Sequence, residues 1–269
     1  MKNLSLIAAA AVLLVSNIAS ASIVVASDTF QQDATGTIVG QVGGTGWASA
    51  WQSALTTTAP KVVAPATQLD GNRALQLSAN NANAAYRVLN TTLSKDVLVD
   101  FLFQYTGTID NNDFLGLWFG SSTGPNIGVK GNCGASGSAI SACTNDLFVR
   151  TAGAAGAYLS NSNLIEGTTY HVFGHWYKTG AASTAYNQFD AWINPTAAEM
   201  STLTGWNARY TTSSSVTSFN TIGFRTDNLS ANDTLRIDDL KISVLPEPSS
   251  IALLGLALLG MAGILRKRG

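Results

Sequence analysis

Two histidines four residues apart, His171 and His175, are the first candidates for chemistry in this sequence. On a helix this spacing would bring two imidazoles together on one face, as a metal site requires. The flanking residues in "TTYHVFGHWYK" are β-formers with an alternating pattern, and they predict a strand instead. On a strand the two Cα atoms would be about 13 Å apart, which is too far to share one zinc ion. We therefore expect two histidines on one sheet face and no metal centre between them.

Carboxylates are the next candidates, because glycoside hydrolysis normally needs two carboxyl groups about 5–9.5 Å apart. Asp238 and Asp239 are adjacent, so on a strand they would point to opposite faces. Asp100 and Asp190 could meet across a sheet, but nothing in the sequence places them together. No G-x-S-x-G motif marks a nucleophilic serine. The sequence therefore predicts no catalytic residues and a protein that is not an enzyme.

A glycan-binding face is a further candidate, formed by polar and aromatic side chains at alternate positions of three predicted strands. Trp and Tyr suit half-wet sites, where a ring can stack on a sugar and a polar edge can bind water. The alternative is that these aromatic residues pack beneath a loop or against a second sheet, and it is favoured because aromatic stripes usually belong to the core. The predicted glycan-binding face consists of Asp100, Gln104, His175, Tyr177, Asp190 and Trp192.

The elements that must position these residues are mostly strands. In "DVLVDFLFQY" Val97, Val99, Phe101 and Phe103 alternate with outward positions, and "DFLGLWFGSS" is a nearly continuous apolar run typical of a buried central strand. Further short strands are separated by Gly, Asn, Ser and Thr clusters. One short helix is predicted to begin at Asn194, which would be its N-cap. We expect an all-β protein, a two-sheet antiparallel β-sandwich or jelly roll.

The composition is polar but weakly charged. Charged residues make up 12% of the 269 residues, against a usual figure of about 25%. Within residues 22–245, 11 of the 15 basic and 15 of the 16 acidic residues remain, which gives a net charge of −4. No Lys/Arg cluster is visible in this region, which argues against nucleic acid as a partner. A region of this length is long enough for one all-β domain.

The N-terminus has the layout of a secretory signal peptide over residues 1–21. Lys2 is followed by an apolar stretch from Leu4 to Val15 and then by the small residues Ala19 and Ala21 of an A-x-A site. We expect cleavage after Ala21, so that residues 22–245 form the exported domain.

The C-terminus combines three features in order. The tripeptide Pro246-Glu247-Pro248 precedes an uncharged apolar run over 251–265, and the basic residues Arg266, Lys267 and Arg268 follow. A helix over that run would span only about 22 Å, less than the roughly 30 Å of a hydrocarbon core. A short buried core helix is the alternative, but the terminal basic residues favour a single transmembrane helix with a positive-inside stop signal.

This arrangement over residues 246–269 resembles the C-terminal sorting signal of bacterial PEP-CTERM proteins. The resemblance implies that an exosortase recognises Pro246, Glu247 and Pro248 at the membrane and cuts near them. It also implies delivery to the cell surface or exopolysaccharide matrix of a Gram-negative-type bacterium. The alternative is that the tripeptide is an ordinary linker before a membrane anchor.

A second resemblance covers roughly residues 28–245. The order of "TYHVFGHWYK", "FDAWINP" and "TLRIDDLKIS" is similar to that in concanavalin/laminin-G-like jelly rolls. That superfamily includes glycan-binding modules and glycoside hydrolases, so the resemblance supports a fold better than it supports a ligand.

Export also bears on the cysteines and on calcium. Cys133 and Cys143 are expected to form a disulfide, which is the usual state of paired cysteines outside the cytosol. Oxygen-rich segments at 111–113 and 228–233 are weak calcium candidates without EF-hand spacing, and polar turns are the favoured interpretation.

Three functional hypotheses follow. The first is a non-enzymatic surface or matrix protein that holds polysaccharide, and the second is a purely structural matrix protein without a specific ligand. The third is a glycoside hydrolase or lyase of the concanavalin-like superfamily. Exposed aromatic residues in a groove would favour the first hypothesis over the second, and two facing carboxyl groups would favour the third.

Overall fold

The computed structural model describes residues 22–64, 69–107, 113–132, 144–153, 155–159, 162, 164–180 and 184–246, which fold into two antiparallel sheets around one shared core. The all-β prediction with two antiparallel sheets is confirmed. The predicted signal peptide, the disulfide between Cys133 and Cys143, and the predicted helix over 251–265 lie outside the described residues.

The larger sheet has nine strands. They are β1 (Ile23–Asp28), β2 (Gly36–Thr37), β3 (Lys61–Val63), β4 (Ala74–Leu77), β6 (Val97–Thr106), β11 (Tyr170–Tyr177), β12 (Gln188–Ile193), β13 (Ala208–Thr211) and β15 (Thr234–Val244). Their order is β13-β12-β11-β6-β15-β4-β3-β2, and β1 pairs with β15 next to β4. The last strand, β15, therefore lies inside the sheet and has neighbours on both sides.

The smaller sheet has six strands. They are β5 (Asn81–Leu93), β7 (Phe114–Phe119), β8 (Asn126–Asn132), β9 (Thr144–Arg150), β10 (Ala157–Tyr158) and β14 (Phe219–Asp227). Their order is β10-β9-β8-β7-β14-β5. Strand β7 lies between β8 and β14 and is buried along its whole length, which confirms the central strand predicted from its apolar run.

The core lies between the sheets and follows the period-two alternation of the strands. Val97, Val99, Phe101 and Phe103 of β6 all belong to it, as the sequence predicts. Aromatic residues fill much of the core, and the Trp176 ring stacks on the Tyr186 ring at a centroid distance of 3.9 Å. Burial of each large apolar side chain contributes about 1.5–3 kcal/mol.

The single helix of the described residues is α1 (Ala197–Thr202), and its N-cap differs from the sequence prediction. Thr196 caps the helix, and its side chain accepts a hydrogen bond from the Glu199 N–H at 3.2 Å while Glu199 Oε2 accepts from the Thr196 N–H at 2.7 Å. This reciprocal capping box satisfies two backbone donors, which is why the helix begins there. Asn194 instead follows the last residue of β12 and has a φ of 48°. The described residues include no helix with the length and apolar character needed to cross a membrane.

A buried ion pair connects the two sheets. Arg87 of β5 donates from Nη1 to Asp28 Oδ2 at 2.9 Å, and both side chains are at most 2% exposed. The same carboxylate accepts from Trp51 Nε1 at 2.8 Å and from the Phe30 N–H at 2.9 Å. Arg87 also donates to the backbone oxygen of Ser49 at 2.8 Å. Burial raises the pKa of Asp28 and lowers that of Arg87, so both charges depend on this set of hydrogen bonds.

We predict that Arg87→Met lowers the free energy of unfolding by about 3–5 kcal/mol, because it leaves the Asp28 carboxylate buried without its cation. Urea unfolding followed by tryptophan fluorescence measures this loss. The double variant Asp28→Asn/Arg87→Met is the control. We expect its loss of stability to be smaller than the summed losses of Asp28→Asn and Arg87→Met. If Arg87→Met lowered the free energy of unfolding by less than about 1 kcal/mol, the buried pair would contribute no more than a surface ion pair, and the prediction would be contradicted.

Candidate functional site

The six residues of the predicted glycan-binding face lie on three neighbouring strands. Strand β11 pairs with both β6 and β12, with His175 opposite Asp190 and Phe173 opposite both Asp100 and Trp192. Because the intervening residues of these strands enter the core, the six side chains lie on the outer face of the nine-stranded sheet. The six residues therefore share one face of the larger sheet.

Trp192, however, is not exposed on that face. It is fully buried and packs with Leu98 and Phe173 beneath Met200 and Leu203, which come from α1 and its C-cap. Its Nε1 donates to the Thr204 backbone oxygen at 2.9 Å. The inclusion of Trp192 in an open binding face is therefore corrected. The physical reason is that the connection between β12 and β13 folds back over the sheet and covers the indole.

Asp190, Tyr177 and His175 form a closed network instead of an open surface. Arg209 binds both Asp190 oxygens at 2.6 Å, and Tyr177 donates to Asp190 Oδ2 at 3.0 Å. Burial, together with the charge and hydrogen bond of Asp190, raises the pKa of Tyr177 to about 12. The His175 ring stacks on Tyr177 at a centroid distance of 4.1 Å, and its Nε2 is 3.4 Å from a carboxylate oxygen of Asp96.

Asp100 and Gln104 also have partners within the protein. Asp100 Oδ1 is 2.5 Å from His171 Nε2, and Lys241 Nζ is 3.4 Å from Oδ2. Burial alone would raise the pKa of Asp100, but the hydrogen bond and charge of His171, aided by Lys241, lower it overall. Gln104 donates to the Gly167 oxygen at 2.7 Å. Asp100 and Asp190 lie on strands separated by β11, and each is paired with a cation or imidazole of its own.

Asp238 is a buried carboxyl on the same face. It is 1% exposed and accepts hydrogen bonds from the Asp70 N–H at 3.1 Å and the Asp239 N–H at 2.8 Å. Burial raises the pKa of Asp238 to about 7, because two backbone donors do not replace the lost water. Its position beneath the segment that begins at residue 69 indicates a role in fixing that loop.

The opposite face of the sandwich carries a basic cluster that the sequence analysis missed. The basic cluster consists of Lys130 of β8, Arg150 of β9 and Arg225 of β14, and the two arginines border a space that we call the basic cavity. A cavity of about 310 Å³ is lined by Thr123, Arg150, Gly153 and Arg225. The only signal in the sequence is a single basic residue at an outward position of each of three apolar strands, in "GVK", "FVR" and "GFR".

Strand register brings these basic residues together. Trp118 pairs with Asn126, and Asn126 pairs with Arg150, so these three form one row across the sheet. Arg225 lies in the adjacent row, opposite Gly116. The side chain that fills the space over Gly116 is Phe114, whose ring lies 5.4 Å from the Arg150 guanidinium carbon and 5.9 Å from that of Arg225.

The electrostatics of the basic cavity are unbalanced. Asp227 pairs with Arg225 at 2.7 Å, but no carboxylate among the described residues forms an ion pair with Arg150 or Lys130. Burial lowers the pKa of Arg150 and of Lys130, and neighbouring positive charges lower both further. The Nε atoms of Arg150 and Arg225 are buried without a hydrogen-bond partner. This arrangement can accept an anion.

Metal ligands are not grouped within the described parts of the chain, where no cluster of three or more His, Cys, Asp or Glu residues could hold an ion. Of the weak calcium candidates, residues 111 and 112 lie outside the described residues. In the segment 228–233, Asp233 Oδ2 accepts from the Ser230 N–H at 2.7 Å, as in a polar turn.

Comparison with protein families shows what the C-terminal segment is. Residues 244–268 match the PEP-CTERM protein-sorting motif, which confirms the C-terminal sorting signal that the sequence predicts. The match begins at Val244, the last residue of β15. It implies export and processing at the membrane by an exosortase. No curated protein matches the chain in sequence.

Solved structures resemble the fold. A double mutant of alginate lyase Aly36B in complex with alginate trisaccharide has a TM-score of 0.52 at 13% identity, covering 82% of this chain and 98% of that one. The cellulose-induced protein Cip1 has a TM-score of 0.44 at 12% identity, with 80% and 95% covered. The receptor-binding domain of botulinum neurotoxin type G has a TM-score of 0.46 at 10% identity, with 88% and 52% covered. At 13% identity, the similarity to the alginate lyase shows a similar fold alone.

We predict that Trp192→Ala lowers the free energy of unfolding by about 3–5 kcal/mol, because it leaves a cavity beneath α1. Trp206→Ala is the matched control, since Trp206 lies on the same connection but is 41% exposed, and we expect it to cost about 1 kcal/mol or less. Urea unfolding compares the two. Equal, small losses would show that Trp192 is accessible and contradict its burial.

We also predict that stability falls as the pH rises from about 4 towards the folded pKa of about 7 for Asp238. In this window the folded state holds a proton on Asp238 that the unfolded state has released, so the slope is about −1.4 kcal/mol per pH unit. Thermal unfolding across this range should show the slope in the native protein and its loss in Asp238→Asn.

Asp239→Asn serves as the control for this pH dependence. Asp239→Asn should retain the fall in stability with pH. The fall should end at a slightly lower pH, because the charge of Asp239 is one of the causes that raise the pKa of Asp238. A native stability that is flat between these pH values would contradict the shifted pKa.

Proposed function

We propose that this protein is an exported surface or matrix protein that an exosortase sorts and that holds exopolysaccharide through a concanavalin-like β-sandwich without cleaving it. The observation that carries the proposal is the sorting motif over residues 244–268. The finer parts of the proposal, which are the ligand and the absence of catalysis, rest on the chemistry of the two outer faces.

The position of the motif suits this role. Strand β15 pairs with β1, β4 and β6, so the chain leaves the sandwich from the interior of the larger sheet. The Leu245 N–H still donates to the Asp96 oxygen at 3.1 Å, directly before Pro246. A proline has no N–H and keeps its predecessor extended, so the strand pairing ends where the motif begins. The folded sandwich therefore ends directly before the Pro246-Glu247-Pro248 tripeptide.

The arrangement of carboxylates supports a non-enzymatic role. Glycoside hydrolysis requires one protonated and one ionised carboxyl group on either side of a sugar. On the nine-stranded face, Asp100 and Asp190 are bound to His171 and Arg209, and Asp238 is covered by a loop. None of these three offers an open carboxyl group opposite a second one.

A polysaccharide lyase is the second candidate, and one observation favours it. Lys130 lies on the same outer face as the basic cavity, with Nζ 5.4 Å from the centre of the Phe148 ring, and burial lowers its pKa, as suits a general base. Release of unsaturated sugar from an acidic polysaccharide, followed by ultraviolet absorbance, distinguishes this candidate. We expect no release, and turnover that depends on Lys130 would favour the lyase over the proposed function.

We predict that the triple variant Pro246→Ala/Glu247→Gln/Pro248→Ala abolishes surface placement of the protein while the sandwich still folds. Cell fractionation and surface protease accessibility, read by immunoblot, should show the variant retained with the membrane. Arg236→Gln, a charge change on the sandwich with an intact motif, is the control and should reach the surface normally. Unchanged surface placement of the triple variant would rule out sorting through this motif.

A further inference from the structure

The outer face of the six-stranded sheet carries, in and beside the basic cavity, buried polar atoms that no group in the described structure satisfies. Arg150 is only 9% exposed, and its Nε has no hydrogen-bond partner. Arg225 Nε, Trp118 Nε1 and Asn126 Oδ1 are also buried without a partner. All four side chains lie on the outer face, in two adjacent rows of β7, β8, β9 and β14. Buried polar atoms are almost always satisfied, so a group of four indicates a missing ligand.

The charge of the cavity selects the kind of ligand. The charge of Arg225 lowers the pKa of Arg150, and Arg150 and Arg225 together lower the pKa of Lys130, after burial in both cases. Asp227 offsets one of the three charges. Three of the four unsatisfied atoms are N–H donors, and a guanidinium binds a planar oxyanion in a bidentate manner. The complementary group therefore carries a negative charge and several acceptor oxygens.

The size of the cavity indicates more than a free ion. Its volume of about 310 Å³ lies at the lower end of the range for pockets that bind small organic molecules. Asn126 Oδ1 adds an unsatisfied acceptor beside the donors, which suits a hydroxyl group. An anionic group on a ring with hydroxyl substituents meets all of these requirements, whereas a fully deprotonated inorganic anion such as sulfate would leave the acceptor unpaired.

We propose that the basic cavity binds an anionic sugar residue of an acidic polysaccharide, with Arg150 and Arg225 donating to its carboxylate or sulfate group. This inference rests on the proposed function and specifies its ligand class. It also assigns binding to the six-stranded sheet instead of the predicted glycan-binding face. Arg150 stacks on Phe114 but makes no side-chain hydrogen bond among the described residues, so its buried Nε is left for a ligand.

The test measures binding of the purified full chain, in detergent, to defined probes by calorimetry. Oligogalacturonate is the carboxylated probe, and its methyl ester is a neutral probe with the same rings. Dextran sulfate and dextran form a second matched pair that identifies a sulfated ligand. We expect one anionic probe to bind and its neutral partner to bind at least about tenfold more weakly, since a charge-assisted hydrogen bond is worth about 1.5–3 kcal/mol.

Variants locate the site. Arg150→Gln and Arg225→Gln should each weaken binding of the anionic probe about tenfold to a hundredfold. Arg236→Gln changes the same charge on the other sheet, where Arg236 contacts Gln76 at 3.1 Å, and should leave the affinity unchanged. Arg150→Gln should unfold at the same temperature as the native protein or a higher one, because it removes a desolvated and unpartnered charge.

Several results would overturn the inference. Equal affinity for an anionic probe and its neutral partner would exclude recognition of charge. Unchanged binding by Arg150→Gln and Arg225→Gln, or an equal loss in Arg236→Gln, would exclude this cavity. Free sulfate or acetate that competes as strongly as the oligosaccharide would reduce the site to a small-anion site and overturn the sugar assignment.

Failure of this inference can be distinguished from failure of the proposed function. Arg150→Gln keeps the sorting motif intact, so cell fractionation should find it at the surface even if it no longer binds polysaccharide. Loss of binding with normal surface placement supports the inference. Normal binding of an anionic probe by a chain that never reaches the surface would overturn the sorting proposal alone.

Discussion

The ion pair between Asp28 and Arg87 is the interaction on which the relation of the two sheets depends. Asp28 ends the first strand of the nine-stranded sheet, and Arg87 lies in the middle of the outermost strand of the six-stranded sheet. Buried charges stabilise a fold only when hydrogen bonds replace their hydration. Here Trp51 and the backbone of the segment from Gly43 to Ser49 supply those bonds, so this segment is fixed over the junction. The pair thus sets how one outer face lies relative to the other.

Much of the fold could be predicted from the sequence because strand alternation is a local property. The residues of β6 divide between core and outer face as their pattern indicates, and the same holds for His171 and His175 on β11. The sorting motif was equally accessible, since it consists of consecutive residues at 244–268. The sequence pattern did not predict strand β8, because Gly128 and Gly131 interrupt its apolar residues. Strand β8 lies between β7 and β9 and forms backbone hydrogen bonds with both, although its own sequence has no clear strand pattern.

The sites were harder to predict because they depend on contacts between distant parts of the chain. The alternation of β12 places Trp192 on the outer face, but only the path of the following connection decides whether that face is open. The basic cluster likewise combines Lys130, Arg150 and Arg225, which are up to 95 positions apart in the sequence. No local run of positive charge exists, so composition alone argued against a basic surface. Register across β8, β9 and β14 creates the cluster.

The two outer faces treat charge in opposite ways, and the contrast bears on function. On the nine-stranded face, each buried carboxylate has a nearby donor: Asp100 has His171, and Asp190 has Arg209. On the six-stranded face Arg150 remains desolvated without an ion pair in the described structure, although the exported region is acidic overall. Composition would have favoured a carboxylate beside it. Desolvation of this kind is unfavourable for folding, but it strengthens each hydrogen bond to an incoming anion, because the local dielectric constant is low. The cost to stability and the affinity for an acidic ligand therefore have the same physical origin.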